Sequence, residues 1–284
     1  MFVKENSLGA IEEYMKQGLA SLYPEREVEA MLKVLFMQLT GYNTIDRRIN
    51  SKQTLSESEL LKFRSVLKEL ELGRPLQYVL GETEFYGLNF KVNEHVLIPR
   101  PETEELVDLI LNENKSNESL VDIGSGSGCI SISYALNNRE SNCYAIDVDS
   151  NALKVVGLNA KQNSVNIEMI EMDILNWSEL PQKFDVVVSN PPYVLETEKS
   201  EMNSNVLDFE PSLALFVGNE EPIIFYEHIA DFALKHLNEA GKLYFEINEK
   251  YGLEVMDCLK IRNFKDIRII KDLSGKDRIV AAHV

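Results

Sequence analysis

Apolar residues recur at helical spacing along the N-terminal quarter of the chain. Ile11, Tyr14, Met15, Leu19 and Leu22 follow one another in steps of three or four, and so do Val28, Met31, Leu32 and Leu35. Leu60, Leu61, Phe63, Val66 and Leu70 form a third such set. These stripes predict amphipathic helices that bury one face each against their neighbours. Ser56 with Glu59 three residues on has the form of a capping box for the last of them, and Gly73 with Pro75 ends it. The expectation is a small helical domain over residues 1–74, of a kind that serves for packing or for docking a substrate.

From Gln77 the pattern changes. Tyr78, Leu80, Phe85, Tyr86, Leu88 and Phe90 surround Gly81 and Gly87, which predicts a short β-hairpin, and residues 75–96 read as a hairpin linker. In residues 97–104 the prolines fix an extended approach, and Glu102, Glu104 and Glu105 then open a helix. Beyond Leu120, apolar runs of strand length alternate with helical stretches. Strands are expected over 120–123, 143–146, 167–170, 184–188, 243–247 and 267–270, with helices such as 151–162 and 222–237 between them. That alternation predicts an α/β domain over 97–284, a parallel sheet covered on both faces. Its end differs, because 267–271 and 278–283 are joined only by a turn at Ser274 and Gly275. Strands linked so briefly must be antiparallel.

Composition narrows the function classes. With 44% hydrophobic and 26% charged residues in 284, the chain has material for a packed core. The three cysteines, Cys129, Cys143 and Cys258, are widely spaced and show no disulfide framework or metal-ligand spacing. Residues 1–5 show no apolar run behind a basic stretch, and no window is long enough to span a bilayer. The expectation is a cytoplasmic protein with no membrane association and no metal. A net charge of −17, with no basic block longer than Asp46-Arg47-Arg48, argues against direct binding of nucleic acid, which rewards a basic face.

The strand at 120–123 runs into Gly124-Ser125-Gly126-Ser127-Gly128. Glycines let a backbone approach a ligand closely. The dinucleotide fingerprint sets its third glycine three residues after the second, but here the spacing is two and two, and Cys129 stands at the dinucleotide position. The pattern suits a nucleoside carrying an amino-acid tail and no diphosphate. Asp122, just before the turn, is a candidate acceptor for that tail's ammonium, directly or through water. Asp147 ends the second strand, where a carboxylate accepts from both ribose hydroxyls, about twenty residues after the turn. After the third strand, Asp173 can accept from the adenine amino group and Ile174 can cover the ring.

The fourth strand leads into Asn190-Pro191-Pro192-Tyr193, at the same carboxyl edge. The lone pair of an amide or aromatic-amine nitrogen is delocalised, and no side chain deprotonates such a group at neutral pH. A protein can instead hold its NH2 with acceptors, such as the Asn190 side-chain oxygen and the Pro191 carbonyl. Those acceptors bind more strongly as the nitrogen gains positive charge on alkylation. The two prolines stiffen the backbone that carries them, and Tyr193 offers a flat face to a planar group. The chemistry indicated is methyl transfer from a sulfonium such as S-adenosylmethionine to a planar NH2 nitrogen. Whether that nitrogen belongs to an amide or to a base, the loop alone leaves open.

The chain resembles the protein-(glutamine-N5) methyltransferases of peptide chain release factors, the PrmC/HemK family. The resemblance rests on residues 73–78, the Pro-Arg-Pro-Glu-Thr-Glu run at 99–104, residues 121–128, residues 145–147, the tetrapeptide at 190–193, Glu210-Pro211 before residues 213–215, and Asp277-Arg278. It implies a Rossmann-like class I methyltransferase sheet with a terminal antiparallel hairpin, preceded by the helical domain. It implies S-adenosylmethionine as cofactor, held by residues 124–128, Asp147 and the position near Ile174. The implied substrate is the glutamine of a release factor's Gly-Gly-Gln motif, with Asn190 touching both cofactor and substrate and Pro191, Pro192 and Tyr193 touching the substrate. The tetrapeptide is shared with DNA adenine and RNA guanine amino-methyltransferases, so a nucleic-acid amino-methyltransferase with the base stacked on Tyr193 is the alternative. A nicotinamide enzyme is disfavoured by the glycine spacing, and a non-catalytic binding protein by the intact motif set. His95, His228, His236 and His283 read as surface or packing residues. The acidic stretch 195–221 reads either as a cover over the substrate, helping to dock a basic partner, or as a solvated insertion.

Overall fold

A computed structural model describes residues 5–284. The reading of residues 1–4 as lacking a leader lies outside the described residues. The chain divides into two units, one reaching Gly81 and also taking in Ser204–Phe209, the other comprising Glu82–Asn203 and Glu210–Val284.

The first unit is helical: α1 (Leu8–Leu19), α2 (Glu25–Thr40), α3 (Thr44–Ile49), α4 (Glu57–Glu71) and α5 (Leu76–Leu80). The apolar stripes supply its core, where Ile11, Met15 and Leu19 meet Leu32, Phe36, Phe63 and Leu70, with the Phe36 and Phe63 rings 4.7 Å apart. The capping box is present. Ser56 Oγ accepts from the Glu59 N–H at 3.3 Å and Glu59 Oε2 accepts from the Ser56 N–H at 2.8 Å. Two details depart from the sequence reading. Leu22 lies beyond α1 and is exposed. Residues 76–80, read as part of the hairpin linker, are helical, and Leu76, Val79 and Leu80 pack into this core. Gly81, at φ 72°, caps α5 in the left-handed conformation instead of turning a hairpin.

The second unit opens with the hairpin of β1 (Glu82–Phe85) and β2 (Leu88–Lys91). Tyr86 and Gly87 both have positive φ, the signature of a two-residue turn that matches strand twist. Then come α6 (Pro101–Glu113), β3 (Leu120–Ile123), α7 (Cys129–Asn137), β4 (Cys143–Asp147), α8 (Ser150–Gln162), β5 (Glu168–Glu171) and β6 (Phe184–Ser189). The short elements β7 (Val194–Leu195), α9 (Ser204–Phe209), α10 (Ser212–Leu215) and β8 (Phe216–Val217) follow; α9 falls with the first unit. The chain ends in α11 (Ile224–His236), β9 (Leu237–Glu246), α12 (Gly252–Ile261), β10 (Lys265–Lys271) and β11 (Asp277–His283).

Seven strands form one sheet in the order β10-β11-β9-β6-β3-β4-β5. All neighbours from β9 to β5 pair in parallel, and β11 runs antiparallel to both β9 and β10. The sheet is therefore Rossmann-like, with the reversed strand expected of the methyltransferase class. Period-2 alternation distributes its side chains between two cores. Leu120, Val186 and Val188 face α6, α7 and α8, while Val121, Ile123 and Val187 face α11 and α12. Chain order reverses between β3 and β6, which pair directly with Ile123 opposite Ser189. The glycine turn and the Asn-Pro-Pro-Tyr loop thus leave adjacent strands, about 5 Å apart, at the topological switch point. Cys129, Cys143 and Cys258 are buried and free. No helix among the described residues is long and apolar enough to cross a membrane.

Candidate active site

A cavity of about 330 Å³ opens at the carboxyl ends of β3, β4, β5 and β6, within the range that holds a small cofactor. Gly124, Ser125, Gly126 and Ser127 line it, as do Asp147, Asp173, Ile174, Asn190, Pro191 and Pro192. The turn is shaped by its backbone. Gly124 and Gly126 have φ of 71° and 52°, and a side chain at either would project into open space. The Gly124 and Ser125 N–H groups donate to the Ile146 carbonyl at 2.9 and 3.0 Å, and Gly128 N–H donates to the Ser125 carbonyl at 2.8 Å. Gly126 N–H donates to Asp147 Oδ2 at 2.8 Å. With these donors committed inside the protein, the turn has little to offer a diphosphate, as the glycine spacing implied. Ser125 Oγ is buried with no hydrogen-bond partner among the described residues, which suits a polar ligand in the cavity.

Asp147 is held from both sides, since its Oδ1 accepts from the Asp149 N–H at 3.0 Å. Each oxygen keeps a lone pair for a ligand hydroxyl. Burial pushes this carboxyl up from its usual range, opposed by the Asp149 and Gly126 N–H groups. Asp173 caps a single 3₁₀ turn, Ile174–Asn176, through the Leu175 N–H at 2.9 Å. Ile174, Val148, Met172 and Leu175 give this end of the cavity an apolar wall. The wall is otherwise acidic, with Glu94, Asp147, Asp149 and Asp173; Arg100, the one Lys or Arg among the lining residues, is bound to Glu210. Such a balance favours a ligand carrying positive charge.

Three predicted site residues are not among those that line the cavity. Asp122 is buried and does not line the cavity. Strand alternation places it with Leu120 on the α7 side of the sheet, where its Oδ2 accepts from the Ser131 N–H at 3.2 Å. Gly128 is not a lining residue either. At φ 76° it begins α7, and a Cβ there would come within 3.0 Å of Ile132 and 3.1 Å of Val156, so its smallness serves close packing. Tyr193 is not a lining residue: its hydroxyl donates to Glu246 Oε1 at 3.3 Å and its ring, partly buried, packs toward the α11 core.

Asp122 gives a stability prediction. Burial pushes its carboxyl up to about 7, against the opposing hydrogen bond from Ser131. The folded chain then binds more protons than the unfolded one between about pH 4 and pH 7, so this group's contribution to stability falls as pH rises through that window and is level above it. Asp122→Asn keeps an acceptor for Ser131 and removes the charge. It should stabilise the protein by about 1–3 kcal/mol near pH 8, with the gain vanishing toward about pH 4. Urea melts of both proteins across that range check this, and a gain independent of pH would contradict it.

The structure adds residues to which the sequence reading assigned no role in the site. Val96, Leu97, Pro99, Arg100 and Thr103 line the cavity, as do Pro211, Leu213, Ala214, Phe225 and Ile229. Glu210 is 4% exposed; its carboxylate accepts from Arg100 Nη2 at 2.6 Å and from the Ile98 N–H at 3.2 Å. This pairing fixes residues 210–214 as cavity wall. Other acids of the 195–221 stretch are also engaged, Glu198 with Lys250 and Glu196 with Lys199. His95, read as a surface or packing residue, lines the cavity with Nδ1 at 3.3 Å from Asp149 Oδ2. Thr103 joins Asn190 to Glu246: Asn190 Nδ2 donates to Thr103 Oγ1 at 3.3 Å, and Thr103 Oγ1 donates to Glu246 Oε2 at 2.7 Å. The signal for Arg100 and Thr103 was their spacing around Pro101; nothing local marks Glu246.

Comparison with known proteins agrees with the fold. Residues 102–208 match the family model described as Methyltransferase small domain, and residues 13–81 match the one described as PrmC N-terminal domain. A crystal structure of a methyltransferase from Pyrococcus furiosus superposes with a TM-score of 0.53 at 17% identity, covering 70% of this chain and 90% of that one, which speaks for the fold. Sheet order, glycine turn and family model together define a methyltransferase. The release factor glutamine methyltransferase of Flavobacterium psychrophilum is 44% identical over 93% of this chain and 94% of its own length. That of Bacteroides thetaiotaomicron is 40% identical over 97% and 100%. The chain belongs to the release factor glutamine methyltransferase family.

Proposed function

We propose that this enzyme transfers a methyl group from S-adenosylmethionine to the side-chain amide nitrogen of the glutamine in the Gly-Gly-Gln motif of a peptide chain release factor. The observation that carries the reading is the pairing of β3 with β6, which brings the glycine turn and Asn190 to one cavity in a chain of this family. Ser125 and Asp147 would hold the polar parts of the cofactor, with Asp173, Ile174, Val148 and Met172 around the adenine. When bound there, S-adenosylmethionine supplies an electrophilic sulfonium methyl. The protein's task is to hold the amide NH2 in line with that carbon. Asn190 Oδ1 and the Pro191 carbonyl accept its two hydrogens, and both bonds strengthen as the nitrogen becomes cationic. The amide nitrogen would gain the methyl as the sulfonium is released as a neutral thioether, and the methylated amide, cationic and strongly acidic, would return one proton to water. The helical unit that matches the PrmC N-terminal domain is the proposed docking module for the protein substrate.

The cavity wall is acidic and its one guanidinium is bound to Glu210, a lining that offers little to a phosphate backbone and so disfavours the nucleic-acid alternative. A competition assay tests the choice. With labelled S-adenosylmethionine and equal amounts of release factor, its Gly-Gly-Ala variant, transfer RNA and duplex DNA, label should enter the intact release factor alone. Label in either nucleic acid, or equal label in the variant, would overturn the proposal.

A further inference from the structure

Glu246 ends β9 and is 1% exposed, and its side chain is occupied by two hydroxyl groups. Thr103 Oγ1 donates to Oε2 at 2.7 Å and Tyr193 Oη donates to Oε1 at 3.3 Å. The Tyr226 hydroxyl donates to the Glu246 main-chain carbonyl at 3.2 Å. Burial pushes the Glu246 carboxyl up from its usual range, while the hydrogen bond from Thr103, the Arg278 guanidinium and the Tyr193 hydroxyl favour its charged form. A buried carboxylate is tolerated only with such compensation. Nothing in methyl transfer requires an acid here, yet this one reaches both ends of the Asn-Pro-Pro-Tyr loop.

Proton counting shows what it does. A threonine hydroxyl has one proton and a carboxylate has none to give. The Thr103 proton is committed to Glu246, so Thr103 Oγ1 can only accept from its other neighbour. The Asn190 atom facing it at 3.3 Å must then be Nδ2, and Oδ1 is left as the acceptor that Asn190 presents. Were the amide flipped, Asn190 would offer an NH2 group to a substrate NH2 group, two donors with no acceptor between them. Packing of side chains alone would not distinguish the two orientations, because the amide oxygen and nitrogen have nearly the same size; the hydrogen-bond chain does.

We propose that Thr103 and Glu246 are positioning residues that set the orientation of the Asn190 amide, while Glu246 also anchors Tyr193 at the far end of the loop. The proposal rests on the reading above that Asn190 accepts from the substrate amide. The sequence 103, 190, 246 spans α6, the loop after β6 and the end of β9, so the sheet itself assembles the relay.

The test compares Thr103→Val, which keeps the shape and loses the hydroxyl, with Thr103→Ser, which keeps it. Thr103→Val should lower kcat about 10- to 100-fold, with KM for release factor and the Kd of S-adenosylmethionine each within about threefold of wild type. Thr103→Ser should stay within about threefold throughout. In ¹⁵N-asparagine-labelled, cofactor-free protein, the Asn190 side-chain amide resonances should move in Thr103→Val and remain in place in Thr103→Ser. Equal losses in both variants, or a wild-type rate and spectrum in Thr103→Val, would overturn the proposal. Should Thr103→Val fail to fold, Glu246→Leu removes both acceptor oxygens at similar size, and an unmoved Asn190 resonance there would equally overturn it. If the wild-type enzyme transfers no methyl to release factor, the methyl-transfer reading fails, while the Asn190 resonance still decides the positioning claim.

Discussion

Asn190→Ala is expected to lower turnover by about 10²- to 10³-fold while the protein melts within a few degrees of wild type. The size follows from what the side chain does. Its oxygen accepts from a nitrogen that is nearly neutral before transfer and cationic during it, so the bond is worth most at the top of the barrier. The mild effect on stability follows from its place. Asn190 is only partly buried, on a loop beyond β6, and its one side-chain bond within the chain is the 3.3 Å contact to Thr103. Pre-steady-state methyl transfer with saturating cofactor and substrate checks the rate, and a wild-type rate constant would contradict the role.

Asp147→Ala should weaken S-adenosylmethionine about 100-fold, close to 3 kcal/mol. Two losses combine. The carboxylate no longer accepts from ribose hydroxyls, and Gly126 and Asp149, whose N–H groups it holds at 2.8 and 3.0 Å, are released. The glycine turn then must be ordered by the ligand itself, which adds an entropic cost to binding. Since Asp147 touches no reacting atom, kcat at saturating cofactor should fall far less than affinity. Isothermal titration of the cofactor with wild type and variant measures the change, and an unaltered Kd would contradict the assignment.

The parts of this molecule that were legible in sequence are those fixed by short-range rules. The helical stripes around Phe63, the capping box at Ser56 and the alternation beyond Leu120 depend on spacing alone. So does the glycine turn, whose two-and-two pattern set it apart from the dinucleotide fingerprint. The antiparallel pairing of β10 with β11 followed from the short link at Ser274 and Gly275. Residues 76–80 went unread as a helix because Gly81 looks like hairpin punctuation, and a glycine with positive φ serves a helix cap equally well.

The site was legible by position and much less by orientation. Strand ends brought Asp147, Asp173 and Asn190 to one cavity, but Asp122, only two residues before Gly124, faces α7 because consecutive strand residues point to opposite faces. Tyr193 was read as a platform, and its hydroxyl is instead drawn to a carboxylate 53 residues further along the chain. The link from Thr103 to Glu246 spans 143 residues. Only the paired sheet, with α6 laid across it, brings them within bonding distance, and no local pattern encodes that. Arg100 and Glu210, 110 residues apart, were invisible as a pair for the same reason.

The most direct test of the central claim is tandem mass spectrometry of release factor treated with the wild-type enzyme and S-adenosylmethionine. The account predicts a single added methyl on the fragment containing Gly-Gly-Gln, on the glutamine side-chain nitrogen, and none with Asn190→Ala over the same time. A methyl on any other residue, or an unmodified Gly-Gly-Gln fragment after many turnovers' worth of incubation, would contradict it.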